Sequence, residues 1–216
     1  EQIESNFERT NTVLLHGVTG SGKTEIYVQL IQQQLDLGKQ ILFLLPEIAL
    51  TTQLIQRLSK YFGEQIGVYH SKFNQNERVE IWNHVLNNNQ DRFRIILGAR
   101  SSVFLPFKDL GLIIVDEEHE NTFKQYDPSP RYNARDTAIV LGAMHKAKVL
   151  LGSATPSMES YFNAKNGKYG LVTLKERFGN VVLPEIELVD LKDCYFRKRM
   201  TGHFSDTLLK EITETL

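Results

Sequence analysis

The segment Gly17-Val-Thr-Gly-Ser-Gly22-Lys23-Thr24 follows an apolar run, "TVLLH", and leads into residues with helical spacing. Few folds can use such a segment. Its glycines leave a loop with almost no side chain to pack, and the spacing G-x-x-x-x-G-K-[ST] lets backbone amides turn inward around an anion. A helix beginning near Lys23 adds the positive end of its dipole at the same point. The pattern therefore predicts a strand, a phosphate-binding loop and a helix, in that order. Gly17, Thr19, Gly20, Ser21 and Gly22 form the expected cradle for a nucleotide's phosphates. Lys23 reaches the β- and γ-phosphates, and the Thr24 hydroxyl ligates Mg2+.

Further apolar runs are spread along the chain: "QILFLL", "IGVYH", "FRIILG", "LGLIIVD" and "AKVLLGS", with helical stretches between them. They are continuous rather than alternating, as strands buried on both faces require. Ile26, Leu30 and Ile31 share one helix face, and Gly38 suits a helix end. Asn74 followed by Glu77 resembles a capping box. The expected fold is α/β: a P-loop lobe, with a mostly parallel sheet covered by helices on both faces. Ligands of such sheets bind at the carboxyl ends of the strands, and each suggestive motif here directly follows a strand. The expected lobe spans residues 1–183. The pattern weakens after about residue 165 into "YGLVTL", "EIELVDL" and a final helix, so residues 184–216 are expected to lie outside the lobe.

The strand "LGLIIVD" ends in Asp116-Glu117. A nucleotide hydrolase needs one carboxylate in the metal shell and another to orient and deprotonate the attacking water. Asp116 is assigned to Mg2+ and Glu117 to the water. His119 would lie beside Ser153 and Thr155 of "GSATP", small hydroxyl residues able to hydrogen-bond it and report the nucleotide state.

Composition narrows the classes of function. The chain carries 25 basic and 26 acidic residues, so nucleic-acid binding must come from a local surface and not from bulk charge. A single cysteine, Cys194, forms no internal disulfide and no four-ligand zinc site. No apolar run approaches the roughly 20 residues of a membrane span. The expectation is a cytoplasmic protein that does not engage a membrane, in a chain that starts and ends within helices like a piece of something longer.

Motifs in the order P-loop, "DEEH" and "GSATP" resemble the first motor lobe of a superfamily-two helicase. "LLPEIALT", "HSKFNQNER", "GARSSVFLPF", "FKQYDPSPRYNARD" and "LGSATPSMES" further resemble the bacterial replication-restart helicases, the PriA or primosomal protein N′ family, over about residues 13–160. This resemblance implies a RecA-like fold for the lobe of residues 1–183, a connector and the truncated start of a second helicase lobe in residues 184–216, ATP hydrolysis, and 3′-to-5′ movement on DNA at stalled forks. Implied partners are single-stranded and forked DNA, other primosome proteins and single-stranded-DNA-binding protein. It places Lys23, Asp116, Glu117 and His119 in catalysis and makes Ser153 and Thr155 the coupling motif. Pro46, Thr51, Gln53, Arg100 and Ser101 are put on the DNA side. The family's zinc-binding, cysteine-rich region, adenine-reading glutamine motif and second lobe with its arginine finger are expected outside this chain. Nucleotide binding by the chain alone is therefore expected to be weak, and turnover slow.

The segment after "DEEH" interleaves Phe123, Tyr126 and Tyr132 with Lys124, Arg131 and Arg135, rings for stacking and cations for phosphate. In the family this region resembles an aromatic-rich loop that couples single-stranded DNA to ATP hydrolysis. A packed loop is the rival reading, and it would bury the rings. Several positions depart from the family pattern: Thr52 in motif Ia, Ala99, which lacks a hydroxyl, and Asn133 in place of histidine. Arg197-Lys198-Arg199, expected between the last strand and last helix, reads more simply as a solvated loop than as a DNA contact. Two other functions fit the same motifs, a nucleotide-switched binding module of the primosome and a superfamily-two RNA helicase lobe. A transporter-type ATPase would need an LSGGQ-like signature, which the sequence lacks.

Overall fold

The computed structural model describes residues 1–46, 52–70, 74–88, 92–178 and 186–215. The elements of the larger part run α1 (Gln2–Arg9), β1 (Thr12–Gly17), α2 (Lys23–Asp36), β2 (Gln40–Leu44), α3 (Thr52–Phe62), β3 (Ile66–Tyr69) and α4 (Gln75–Asn87). They continue with β4 (Ile95–Gly98), β5 (Leu110–Asp116), α5 (Ala134–His145), β6 (Lys148–Ser153), α6 (Met158–Lys165) and β7 (Gly170–Leu174). The seven strands form one sheet in the order β3-β4-β2-β5-β6-β1-β7, and every pairing is parallel. This is the doubly covered α/β sheet that the continuous apolar runs predict. "YGLVTL", the weaker run, supplies β7 beside β1.

Alternation along the strands explains why they are apolar throughout. Leu14, Leu42, Leu44, Ile113, Val115 and Leu151 point to one face and meet Ile81 and Val85 of α4 and Ala134 and Ala138 of α5. Their neighbours Val13, Leu15, Ile41, Phe43, Ile114 and Leu150 point to the other and meet Phe7 of α1, Tyr27 and Ile31 of α2, and Leu58 of α3. Both faces are dry, so polar residues are tolerated only at strand ends, where the functional motifs lie. Truncating a residue such as Phe43 to alanine would cost about 3–5 kcal/mol.

Helix boundaries follow local chemistry. Asn74, Asn133, Ser157 and Asp190 cap their helices, each side-chain oxygen accepting an amide hydrogen bond from the first turn. Gly38, with a φ of +74°, follows the end of α2. Helix α2 itself begins at Gly22, which has no side chain to cap it.

The chain divides into two compact units, residues 1–180 and 181–216. The second contains α7 (Leu191–Phe196), β8 (Met200–Thr201), β9 (Phe204–Ser205) and α8 (Asp206–Thr215), with a buried, free Cys194 on α7. The basic cluster does not lie between the last strand and the last helix, because the β8-β9 ladder follows it. Arg197 and Arg199 both bond the Asp193 carboxylate, at 2.8 and 2.9 Å, which turns two of the three cations toward the protein's own acid.

Candidate functional site

Three motifs meet at the carboxyl edge of the sheet because β1, β6 and β5 are consecutive neighbours there. The register sets Asp116 opposite Gly152 and His16 opposite Ser153. A cleft of about 820 Å³ opens above them, lined by Thr19 to Ile26, Arg57, Asp116, Glu117 and Phe178. Arg57 of α3 forms an ion pair with Glu25 on its rim.

The loop after β1 has the features of an anion cradle. Gly20 and Gly22 adopt positive φ, at +76° and +85°, conformations that strain any residue with a Cβ. On Gly17, a Cβ would lie 2.7 Å from Ser21 Oγ. The Lys23 ammonium donates to the Gly17 carbonyl at 2.8 Å, so it lies folded back on its own loop. Ser21 Oγ is shielded from solvent and has no hydrogen-bond partner. First-turn amides of a helix lack intrahelical acceptors, and α2, capped by a glycine, offers them to a ligand. A nucleotide's phosphates fit this set of donors, and Thr24 and Asp116 line the same cleft as a hydroxyl and a carboxylate of the kind that could hold Mg2+.

Across the cleft, Asp116 Oδ1 accepts a hydrogen bond from the Tyr27 hydroxyl at 2.8 Å. Tyr27 is buried, and a Cβ on Gly152 would come within 1.9 Å of its hydroxyl oxygen, so only glycine leaves room for the phenol there. Burial raises the Asp116 carboxyl above the usual carboxylate range, against the Tyr27 hydrogen bond and the charge of Lys23. Glu117 is also raised, by burial and then by the adjacent Asp116 charge. Its φ is +49°, a conformation rare for residues other than glycine and costing about 1–3 kcal/mol. The sequence reading missed Tyr27, although it lies one helical turn from Lys23 and on the same face.

His119 Nδ1 lies 2.8 Å from Ser153 Oγ, and its Nε2 lies 3.4 Å from Thr155 Oγ1. Ser153 Oγ also accepts from the Thr155 amide at 3.0 Å. The acid strand and the end of β6 are thus joined by side chains directly behind the cleft.

Glu118, unassigned by sequence, is the most heavily bonded acid near the site. Its Oε2 accepts from Arg135 at 3.2 Å, Ser157 Oγ at 2.9 Å and Ser160 Oγ at 2.8 Å, while Oε1 accepts from the Ser157 amide at 2.7 Å. This requires a correction for Arg135. It does not face solvent as a phosphate contact. It is 9% exposed and is bonded to Glu118, Asp136 and Ser157, because a buried carboxylate needs a cation beside it. Phe123 is corrected as well. At 1% exposure it belongs to the core with Val115 and Ala134, so it offers no stacking surface.

The rest of that segment forms a narrow loop whose base is pinned by an antiparallel bridge between Lys124 and Asn133. Tyr126 is 65% exposed at its tip, and Arg131 is exposed as well. Lys124 donates to the Arg131 carbonyl at 2.6 Å, and Arg100 donates to the Lys124 carbonyl at 3.1 Å. Tyr132 is half-buried and meets Phe104 edge-on, with ring centroids 4.8 Å apart. The exposed ring of Phe104 was not identified from sequence. Ser101 is exposed in the turn Arg100–Phe104, and Pro46 is buried at the end of β2. Thr51 lies outside the described residues, as does the side chain of Gln53. No three His, Cys, Asp or Glu side chains converge as a metal-ligand set among the described residues, and none of their helices is long and apolar enough to cross a membrane.

The chain is similar to the replication restart protein PriA of Bacillus subtilis, with 44% identity over 94% of this chain and 25% of that protein. It is also similar to the protein of the same name from Rickettsia felis, at 46% identity over 93% of this chain and 31% of that one. It spans about a quarter to a third of the length of these relatives. Among solved structures, RecG bound to a three-way DNA junction matches 80% of this chain and 23% of its own, with a TM-score of 0.55 and 23% identity. The E. coli DExH-box NTPase HrpB matches with a TM-score of 0.56 at 16% identity, covering 80% of this chain and 20% of that one. These two likenesses establish the fold. The profile of DEAD/DEAH box helicases matches residues 1–163, which carry the phosphate loop, the acid strand and the Ser153–Thr155 turn, and the chain therefore belongs to the DEAD/DEAH box helicase family.

Proposed function

We propose that the chain is the ATP-binding motor lobe of a 3′-to-5′ DNA helicase that acts in the restart of stalled replication forks. The observation that carries this reading is the opposition, across one cleft, of the Lys23 loop and the Asp116-Glu117 pair, with His119 bonded to Ser153 behind them. The replication-restart name of relatives more than 40% identical supports the fork assignment. Residues 184–216 are proposed as the connector and first part of a second lobe.

In this mechanism Lys23 leaves the Gly17 carbonyl and places its charge on the β- and γ-phosphates. Bound Mg2+, held through Thr24 and Asp116, would neutralise charge that develops on the phosphates. Tyr27 keeps one oxygen of Asp116 occupied and so fixes the direction of the other. Glu117, next to Asp116 on the cleft wall, takes the proton of the attacking water. His119 transmits the resulting shift to Ser153 and Thr155. On the nucleic-acid side, Tyr126 and Tyr132 supply rings and Arg131, Lys124 and Arg100 supply cations, with Ser101 beside them. The experiment is ATP turnover by the intact protein with single-stranded DNA, forked DNA and RNA at one stated salt concentration. DNA is expected to stimulate and RNA not to. Equal stimulation by RNA would move the chain to an RNA motor.

A further inference from the structure

Phe178 is 85% exposed, yet it lines the nucleotide cleft, and its amide donates to the Gly20 carbonyl at 2.8 Å. The strand before it is tied to the same loop, because the Val18 amide donates to the Leu174 carbonyl at 3.2 Å. A large ring is thus held at the phosphate loop by two backbone bonds and is left without apolar cover. Among the described residues lining the cleft, Phe178 is the only aromatic side chain.

Strand order indicates what the ring faces. On the sheet edge, β1 and its loop lie between β6, with β5 beyond it, on one side and β7 on the other. Asp116 and Glu117 end β5, so the reacting, terminal phosphate points toward β5. The opposite end of the nucleotide must then leave the loop toward β7, the strand that leads into Phe178. Ile26, on the first turns of α2, is the aliphatic residue lining the same cleft. A flat, uncharged heterocycle matches these neighbours, and stacking is the interaction an exposed ring offers it at low entropic cost.

We propose that Phe178 is the platform on which the base of the bound nucleotide stacks, an inference that rests on the nucleotide reading of the cleft. A base stacked on a protein ring contributes enough that removing the ring weakens binding by about tenfold. The phosphates are held elsewhere, so a ligand without a base should not sense the change.

The test is the affinity of the intact protein for a non-hydrolysable ATP analogue and for inorganic tripolyphosphate, both with Mg2+, in the unaltered form and in Phe178→Ala and Phe178→Trp. The expected result is an approximately tenfold loss for the analogue in Phe178→Ala, a change of less than about twofold for tripolyphosphate, and affinity restored in Phe178→Trp. An equal loss for both ligands, or no loss for either, would overturn the platform. A lower Tm of ligand-free Phe178→Ala with unchanged analogue affinity would assign the ring to packing and overturn it too. If neither ligand bound the unaltered protein, the nucleotide reading itself would fall, and the platform with it.

Discussion

At the carboxyl end of β5, Glu117 faces the cleft with a φ of +49°, whereas Glu118, the next residue, turns inward to Arg135, Ser157 and Ser160. The two regions are built from one loop and held in opposite ways. Behind the loop every oxygen of Glu118 has a donor. In front of it Ser21 Oγ lacks a partner, Lys23 makes do with its own loop's carbonyl, and two carboxyls share a desolvated site. At this edge of the sheet the strained Glu117 and the unmet Ser21 hydroxyl lie on the side where a ligand would relieve them, and the saturated Glu118 carboxylate on the side that must keep its shape. Adjacent identical side chains can thus separate chemistry from scaffolding.

Substituting each glutamate is the sharpest way to break this comparison. Glu117→Gln should lower DNA-stimulated turnover by about 10²- to 10⁴-fold, the span of general-base contributions, while ATP binding persists. Steady-state turnover and equilibrium binding check it, and full activity would favour a nucleotide switch that needs no hydrolysis. Glu118→Ala should instead destabilise the scaffold. Removing the buried carboxylate beside Arg135, which keeps Asp136 and Ser157 as partners, costs up to about 3–5 kcal/mol, a fall in Tm on the order of 10 °C for a chain of this size. A thermal melt that left Tm unchanged would mean the buried network is not what holds the loop.

Smaller effects sharpen the boundary between the two regions. Tyr27→Phe removes the donor to Asp116, with an expected loss of about 1–3 kcal/mol and a higher Mg2+ concentration for half-maximal turnover. An unchanged Mg2+ requirement would make Tyr27 a packing residue only. Arg131→Ala should leave basal turnover intact and reduce the DNA stimulation and its salt dependence, because a tip cation contacts phosphate without holding the loop.

The least effect, and the one with a sign specific to the cleft, concerns stability without nucleotide. Burial holds Asp116 and Glu117 above the ordinary carboxylate range. A carboxyl whose folded pKa exceeds its unfolded value binds protons on folding. Its stabilising contribution is complete below the unfolded value, about 4, and is lost as pH rises through the raised folded value. Asp116→Asn should therefore raise the Tm of the metal-free protein at pH 7, and the gain should shrink as the melts are repeated toward pH 4. A gain that grew on acidification would contradict the assigned shift.

Much of this was legible in the residues. A phosphate loop works through its backbone, so its glycines fall at fixed spacings within one short segment, and the acids follow an unbroken apolar strand. The aromatic segment was legible only in part. Alternating rings and cations state what a loop can bind but not which residues face water. That choice falls to Glu118, whose need for a cation draws Arg135 inward, and to the core, which takes Phe123. Nothing in the spacing of residues 123–135 announces a partner at Ser157. Tyr27 could have been found from its helical offset to Lys23, while Phe104, given no role within "GARSSVFLPF", and Phe178, outside every motif, emerge only from the exposure of their rings.

The most direct test is a crystal of the intact protein with Mg2+ and a non-hydrolysable ATP analogue. The triphosphate and metal should lie between the Gly17–Thr24 loop and the two acids, with the Lys23 ammonium moved from the Gly17 carbonyl to the β- and γ-phosphates. Nucleotide bound elsewhere, with Lys23 still on Gly17 and the acids far from any phosphate, would contradict the motor reading.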